Sequence, residues 1–145
     1  VPEPGSSVPP ALDDILGFHI RLAHGAVYRH FNETFGGIGL TQKQTSVLWL
    51  VNDDPGISQA DIARRLQMDR ATMMAITNSL TGRGLLERAA ATGDRRRQTL
   101  HLTDSGTAAL TVARAAVAAH ESWLKSRFTP EEVRHLLGLL RRVHA

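Results

Sequence analysis

The stretch Ser58-Gln59-Ala60-Asp61-Ile62-Ala63-Arg64-Arg65-Leu66, then Gln67-Met68, then Asp69-Arg70-Ala71-Thr72-Met73-Met74-Ala75-Ile76 and, further on, Gly93-Asp94-Arg95-Arg96-Arg97 decides how this chain is read. Ser58 and Asp69 each stand where a side-chain oxygen can accept the amide three residues on, so each opens a short helix. Gln67-Met68 leaves room only for a tight turn between the two. Two short helices around a tight turn, followed by a basic hairpin, lay one helix in a DNA major groove with an arm beside it. The expected fold is mainly α with a small β-wing, a winged helix-turn-helix with additional terminal helices.

Charge points the same way. Between Ser58 and Arg97 eight Arg (Arg64, Arg65, Arg70, Arg83, Arg88, Arg95, Arg96 and Arg97) face four acids (Asp61, Asp69, Glu87 and Asp94), a net +4, whereas the whole chain carries +3. The positive charge is therefore local, as phosphate neutralisation and counterion release require.

Composition excludes several alternatives. The 145 residues suit one domain or a small domain with an oligomerisation element. Aromatic residues make up only 5%, too few for a platform that stacks single-stranded bases. With no Cys, disulfides, thiolate nucleophiles and thiol oxidation sensing are excluded. No apolar run reaches the ~20 residues of a membrane span, so a cytoplasmic protein is expected. There is no Gly-x-Ser-x-Gly elbow, phosphate loop or His-Glu-x-x-His, and no catalytic residue is nominated: the chain reads as no enzyme.

Outward from the central stretch, residues 1–10 are rich in Pro, Gly and Ser and are expected as a disordered tail; the chain lacks an initiating Met, so its true start can lie upstream. Over residues 11–36, Leu12, Ile15, Leu16, His19, Leu22, Ala23, Ala26, Val27, His30 and Phe31 recur at helical spacing, with a second apolar line through Ile20, Tyr28 and Phe35. Such a helix is expected to touch two bodies. Gly36-Gly37-Ile38-Gly39 stops it, and Thr41-Gln42-Lys43-Gln44 is a capping box for a helix through about Val51, burying Val47, Leu48, Leu50 and Val51. Leu85–Arg88 and Gln98–Leu102 read as wing strands, with Ala89–Arg97 a loop too long for a tight hairpin. Thr103 caps a long helix to about Arg127, and Thr129-Pro130-Glu131-Glu132 opens a final one carrying Val133, Leu136, Leu137, Leu140 and Val143. These ends hold more apolar side chains than one monomer needs, which predicts a homodimer. The expected organisation is a tail (1–10), a dimerisation helix (11–36), a winged DNA-binding unit (40–102) and dimerisation helices (103–145).

On the helix opened by Asp69, helical spacing turns Met73, Ile76, Thr77 and Leu80 inward. Arg70, Ala71, Met74, Ala75 and Asn78 face outward with Thr72 at the edge, and Ser58 and Gln59 of the preceding helix join them as candidate DNA contacts. Arg and Asn suit bidentate base contacts, and Ala or Met can meet a thymine methyl. Arg95, Arg96 and Arg97 suit a narrow minor groove, with Asp94 bracing one of them.

Together these residues resemble the multiple-antibiotic-resistance regulator (MarR) family of bacterial transcription factors. The likeness runs through Leu40-Thr41-x-x-Gln44, Val47-Leu48, Pro55-Gly56-x-Ser58-Gln59-x-x-Ile62-Ala63-x-x-Leu66, Asp69-Arg70-Ala71-Thr72, Leu80-x-x-x-Gly84-Leu85-x-x-Arg88, and Asp94-Arg95-Arg96 to Leu102-Thr103-x-x-Gly106. It implies an obligate homodimer with interleaved terminal helices, reading a pseudo-palindrome whose half-sites lie about one turn, ~10 base pairs, apart. It further implies a repressor of its own or a neighbouring operon, without a cofactor, that releases DNA when a small anionic aromatic compound or an aromatic acyl-CoA binds, in the setting of aromatic-compound catabolism. The family's oxidant-sensing branch is excluded by the lack of Cys.

The first helix carries an unusually polar set, of which Arg21, His24, Tyr28 and Arg29, with Trp49 of the second helix, are the candidate ligand-binding residues. They offer donors beside an apolar wall for a carboxylate, phenol or phosphate-rich tail. Two alternatives stay open: a nonspecific architectural DNA-binding protein, and a zinc-responsive regulator of the same fold. For zinc, seven His are present and His120 or Glu121 can approach the first helix, but His19 and His24 are five apart and no metal ligand is nominated.

Overall fold

The computed structural model describes residues 11–91 and 93–145, with the backbone alone at residues 91 and 94–97. The expected tail, residues 1–10, lies outside the described residues. Helix formation starts later than the apolar spacing suggests. A 3-10 turn at Leu12–Asp14 is followed by Ile15 in extended geometry (φ −87°, ψ 113°), and α1 spans Leu16–Thr34 rather than residues 11–36. The His19 imidazole, bonded through Nε2 to the Asp13 carbonyl at 2.5 Å, ties that turn back onto the helix.

Helices α2 (Gln42–Asp53), α3 (Gln59–Arg65) and α4 (Arg70–Gly82) follow. Their starts are set by side-chain caps. Thr41 Oγ1 accepts the Gln44 amide while Gln44 Oε1 accepts the Thr41 amide, Ser58 Oγ accepts the Asp61 amide, and Asp69 Oδ1 accepts the Thr72 amide. Between α3 and α4 the chain reverses through Gln67 at φ +54°, the left-handed region that a residue with a Cβ seldom enters.

Strands β1 (Leu86–Ala91) and β2 (Asp94–Leu102) pair antiparallel, with Leu86 opposite Leu102, Arg88 opposite Leu100 and Ala90 opposite Gln98. The register then slips so that Ala91 faces Asp94. Residues 89–97 are thus not the open loop expected: the ladder continues through Ala89 and Ala90, and residues 95–97 are taken up in a bulge of β2. Alanine is a weak strand former, so the sequence understates this pairing, which propagates from the Leu86–Leu102 end. Gly93 at φ +83° supplies the reversal. The segment before α3 adds a short third edge, Gly56 N donating to Leu100 O and Leu100 N to Ile57 O, both at 3.0 Å. Helices α5 (Asp104–Lys125) and α6 (Pro130–His144) complete the chain, the latter with a full capping box from Thr129 and Glu132.

The chain divides into two compact units, one of residues 35–118 and one of residues up to 34 with those from 119 on. The central unit is closed around Val47, Leu48, Val51, Ile62, Met73, Leu80, Leu86, Leu100 and Leu110, all 2% exposed or less. Among its described residues the terminal unit buries only Phe31 and His120, and it leaves Leu12, Leu16, Leu22, Leu137 and Val143 exposed. Within it the His30 ring stacks on Trp123 at 3.8 Å, and His30 and His120 meet Nδ1 to Nδ1 at 2.7 Å. Among the described residues no helix is long and apolar enough to cross a membrane.

Candidate nucleic-acid interface

The outward side of α4 is built by the way its inward side is held. Met73, Thr77 and Leu80 are fully buried, and the Thr77 hydroxyl is satisfied by the Met73 carbonyl at 2.9 Å. One hundred degrees per residue then leaves Arg70, Ala71, Met74, Ala75 and Asn78 exposed. The start of the helix is fixed by Asp69, which accepts the Thr72 amide at 2.7 Å and the Thr72 hydroxyl at 2.8 Å. The bond from the Thr72 backbone, then that from its hydroxyl, hold the Asp69 carboxyl below the usual carboxylate range. The Thr72 hydroxyl proton is thus spent within the protein, leaving its oxygen to meet a ligand only as an acceptor.

In front of this face lies an open groove of about 950 Å³, lined among others by Gln59, Met68, Arg70, Met74, Asn78 and Arg88. Its walls come from α3, α4 and the base of the wing. Ser58 lines it too, but at 8% exposure with its hydroxyl on the Asp61 amide and its backbone bridged to Thr99. Ser58 therefore positions α3, and Gln59, next along, is the more open of the two.

The arginines divide by occupation. Arg83 donates to the Gly39 carbonyl at 2.8 Å and pins the end of α4 to the preceding loop. Arg64 pairs with Asp61 at 3.1 Å on the surface, a contact of little energetic consequence in solvent. Arg88 reaches from β1 to donate to Asn78 Oδ1 at 2.5 Å. Arg70 has no ion-pair partner among the described residues. Sequence reasoning nominated Asn78 but missed Arg88, because the two are ten residues apart on different elements and no spacing rule joins them. The side chains of Asp94, Arg95, Arg96 and Arg97 lie outside the described residues; their backbone belongs to β2.

The candidate ligand residues fall in separate units. Arg21, His24, Tyr28 and Arg29 are exposed on α1, where His24 and Tyr28 stack with ring centroids 6.3 Å apart. Trp49 is half-buried in the central unit, and what covers it there is Arg114 of α5, with its guanidinium carbon 4.6 Å from the ring centroid and Nη2 3.4 Å from Asp53. That cation was not anticipated. Among the described residues no group of three or more His, Cys, Asp or Glu could hold a metal ion.

A family model described as MarR family matches residues 38–97. The chain is 33% identical over 130 residues to a protein of Thauera aromatica described as a transcriptional regulatory protein for the hcr operon, covering 89% of this chain and 78% of that one. Among solved structures, a transcriptional repressor named CouR bound to a 23-mer DNA duplex is similar at TM-score 0.88 and 33% identity, over 97% of this chain and 100% of that one. A CouR repressor bound to p-coumaroyl-CoA is similar at TM-score 0.84 and 31% identity, over 96% and 98%. Sequence relationship over nearly the whole length and a shared winged helix-turn-helix architecture agree, and the chain belongs to the MarR family of transcriptional regulators.

Proposed function

We propose that this regulator is a homodimeric repressor that reads a pseudo-palindromic operator and releases it when a small aromatic acid or an aromatic acyl-CoA binds. The observation that carries the reading is the groove in front of α4, where exposed Arg70, Met74 and Asn78 stand above a face whose inward residues are locked in the core. Arg70 and Asn78 would take base edges, and Ala71, Ala75 and Met74 would pack on thymine methyls. Gln59 and Thr72 would contact the groove margin, and Arg95, Arg96 and Arg97 would enter the minor groove. Two such units about one helical turn apart, ~10 base pairs, would span the operator.

The effector class rests on likeness to the CouR repressor bound to p-coumaroyl-CoA and on the donors of α1. Arg21, His24, Tyr28 and Arg29 of α1 are proposed to hold the carboxylate, phenol or phosphate-bearing end of the ligand. The experiment is fluorescence anisotropy on the DNA upstream of the gene, repeated with aromatic acids, their CoA thioesters and zinc. Release by one aromatic compound, weakened in His24→Ala or Arg29→Ala, is the expected result. Release by zinc alone would replace the effector reading, and equal binding to every duplex at physiological salt would make the protein architectural.

A further inference from the structure

The Arg88–Asn78 contact couples the wing to the exposed face of α4, and rests on the proposal that α4 reads DNA. Arginine has five N–H donors and no acceptor. Its partner must therefore offer oxygen, and the bond from Arg88 Nη2 to Asn78 Oδ1 at 2.5 Å fixes which way the amide faces. With one lone pair of the carbonyl taken from the β1 side, the NH2 of Asn78 and the second lone pair of Oδ1 remain to meet a ligand in the groove that both residues line. Asn78 is exposed and Arg88 half-buried, so the arginine sits behind the asparagine at the base of the wing.

We propose that Arg88 is a specificity-determining residue that fixes the orientation in which the Asn78 amide meets the operator. A free asparagine pairs with adenine through both its groups, donating to N7 and accepting from N6. Unheld, the amide can turn over and exchange its donor and acceptor; held by Arg88 through one of the two lone pairs of Oδ1, it presents its NH2 and the remaining lone pair in one fixed order. A base pair that offers its acceptor and donor in the matching order is favoured over the same pair reversed. Base preference at this position is then written by a residue on the strand as much as by the residue on the helix.

The test is the base preference of the protein at each operator position, measured by competition anisotropy with single-base variants, for the full-length wild type, Arg88→Met, Arg88→Lys, Asn78→Asp and Arg70→Ala. Arg88→Met keeps the apolar stem and frees the amide to turn over, so preference at one position should relax by about fivefold to tenfold, the worth of one hydrogen bond. Arg88→Lys keeps a donor and should retain the wild-type preference. Asn78→Asp presents an oxygen in place of the NH2 and should move the same position toward a donor such as cytosine N4. If Arg88→Met instead weakens all duplexes equally and lowers the salt slope by about one, Arg88 is a phosphate contact and the proposal falls. If Arg70→Ala changes preference at its own position while Arg88→Met changes none, the proposal falls and the reading of α4 stands. If no variant on α4 or β1 alters any preference, the reading of α4 falls with it.

Discussion

At Gly106 the first turn of α5 runs against the backbone of Leu85. A Cβ there would stand 2.0 Å from the Leu85 oxygen and 3.0 Å from its carbonyl carbon. That carbonyl cannot give way, because Thr103 N donates to it at 3.2 Å, the Leu85 amide is held by Leu80 O at 3.0 Å, and Thr103 Oγ1 donates to Gly84 O at 2.6 Å. Gly106→Ala is expected to cost about 3 kcal/mol or more, read from urea unfolding at fixed protein concentration. A loss under about 0.5 kcal/mol would mean that α5 does not approach so closely. Ser58 and Gln59, adjacent in sequence, should separate by effect. Ser58→Ala removes a buried cap and should lower stability by about 1 kcal/mol, with DNA binding reduced only as α3 loosens. Gln59→Ala should leave stability unchanged and weaken DNA binding. Equal stability losses in both would contradict this division.

Elements were legible where local chemistry alone determines them. The capping boxes at Thr41 and Thr129, and the single caps at Ser58 and Asp69, mark helix starts because a side-chain oxygen and the amide three residues on need nothing from the rest of the fold. Burial along α4 follows from its period for the same reason. What the sequence concealed depends on pairing across distance. Ala89 and Ala90 join the ladder although they have little strand propensity, and Gly56-Ile57-Ser58 lie against β2 without any strand-like pattern. The Arg88–Asn78 and Arg114–Trp49 contacts likewise require knowing which elements meet. The bulge that takes up residues 95–97 places three arginine positions in succession without counterparts on β1. If these act on phosphates or in the minor groove, Arg95→Ala and Arg96→Ala should each weaken binding across all sequences and reduce the salt slope by about one. Variants binding as wild type between 50 and 200 mM salt, a range set by the same dependence, would remove the wing from the interface.

The two units differ in how much of themselves they cover. The central one is closed, whereas the terminal one leaves Leu16 74% and Val143 66% exposed and buries no residue of α6. In the proposed homodimer this apolar surface is what a second copy of the chain would cover. Removing residues 130–145 should give a monomer by sedimentation with much weaker operator binding, since one winged unit grips one half-site; a stable monomer of full affinity would contradict this. The terminal unit also carries a group sensitive to acid. Desolvation, then the neighbouring His30, hold His120 below the ordinary imidazole value, with Glu121 opposing them. Phe31 packs edge-on against His120, and Arg127 lies over Trp123 on the same stack. A shared Nδ1 contact at 2.7 Å needs one donor and one acceptor, so protonating both rings sets N–H against N–H. The unfolded chain binds a proton near pH 6.5 and the folded one only at lower pH. Between those values the unfolded state holds more protons, so stability is complete above about pH 6.5 and declines as pH falls through the window. The wild type should therefore lose more melting temperature between pH 7.5 and 5.5, values chosen to bracket about 6.5, than His120→Gln, which keeps a hydrogen-bonding group without the titration. Parallel losses in the two proteins would show that His120 carries none of the acid sensitivity and that its depressed proton affinity does not bear on how the terminal unit holds together.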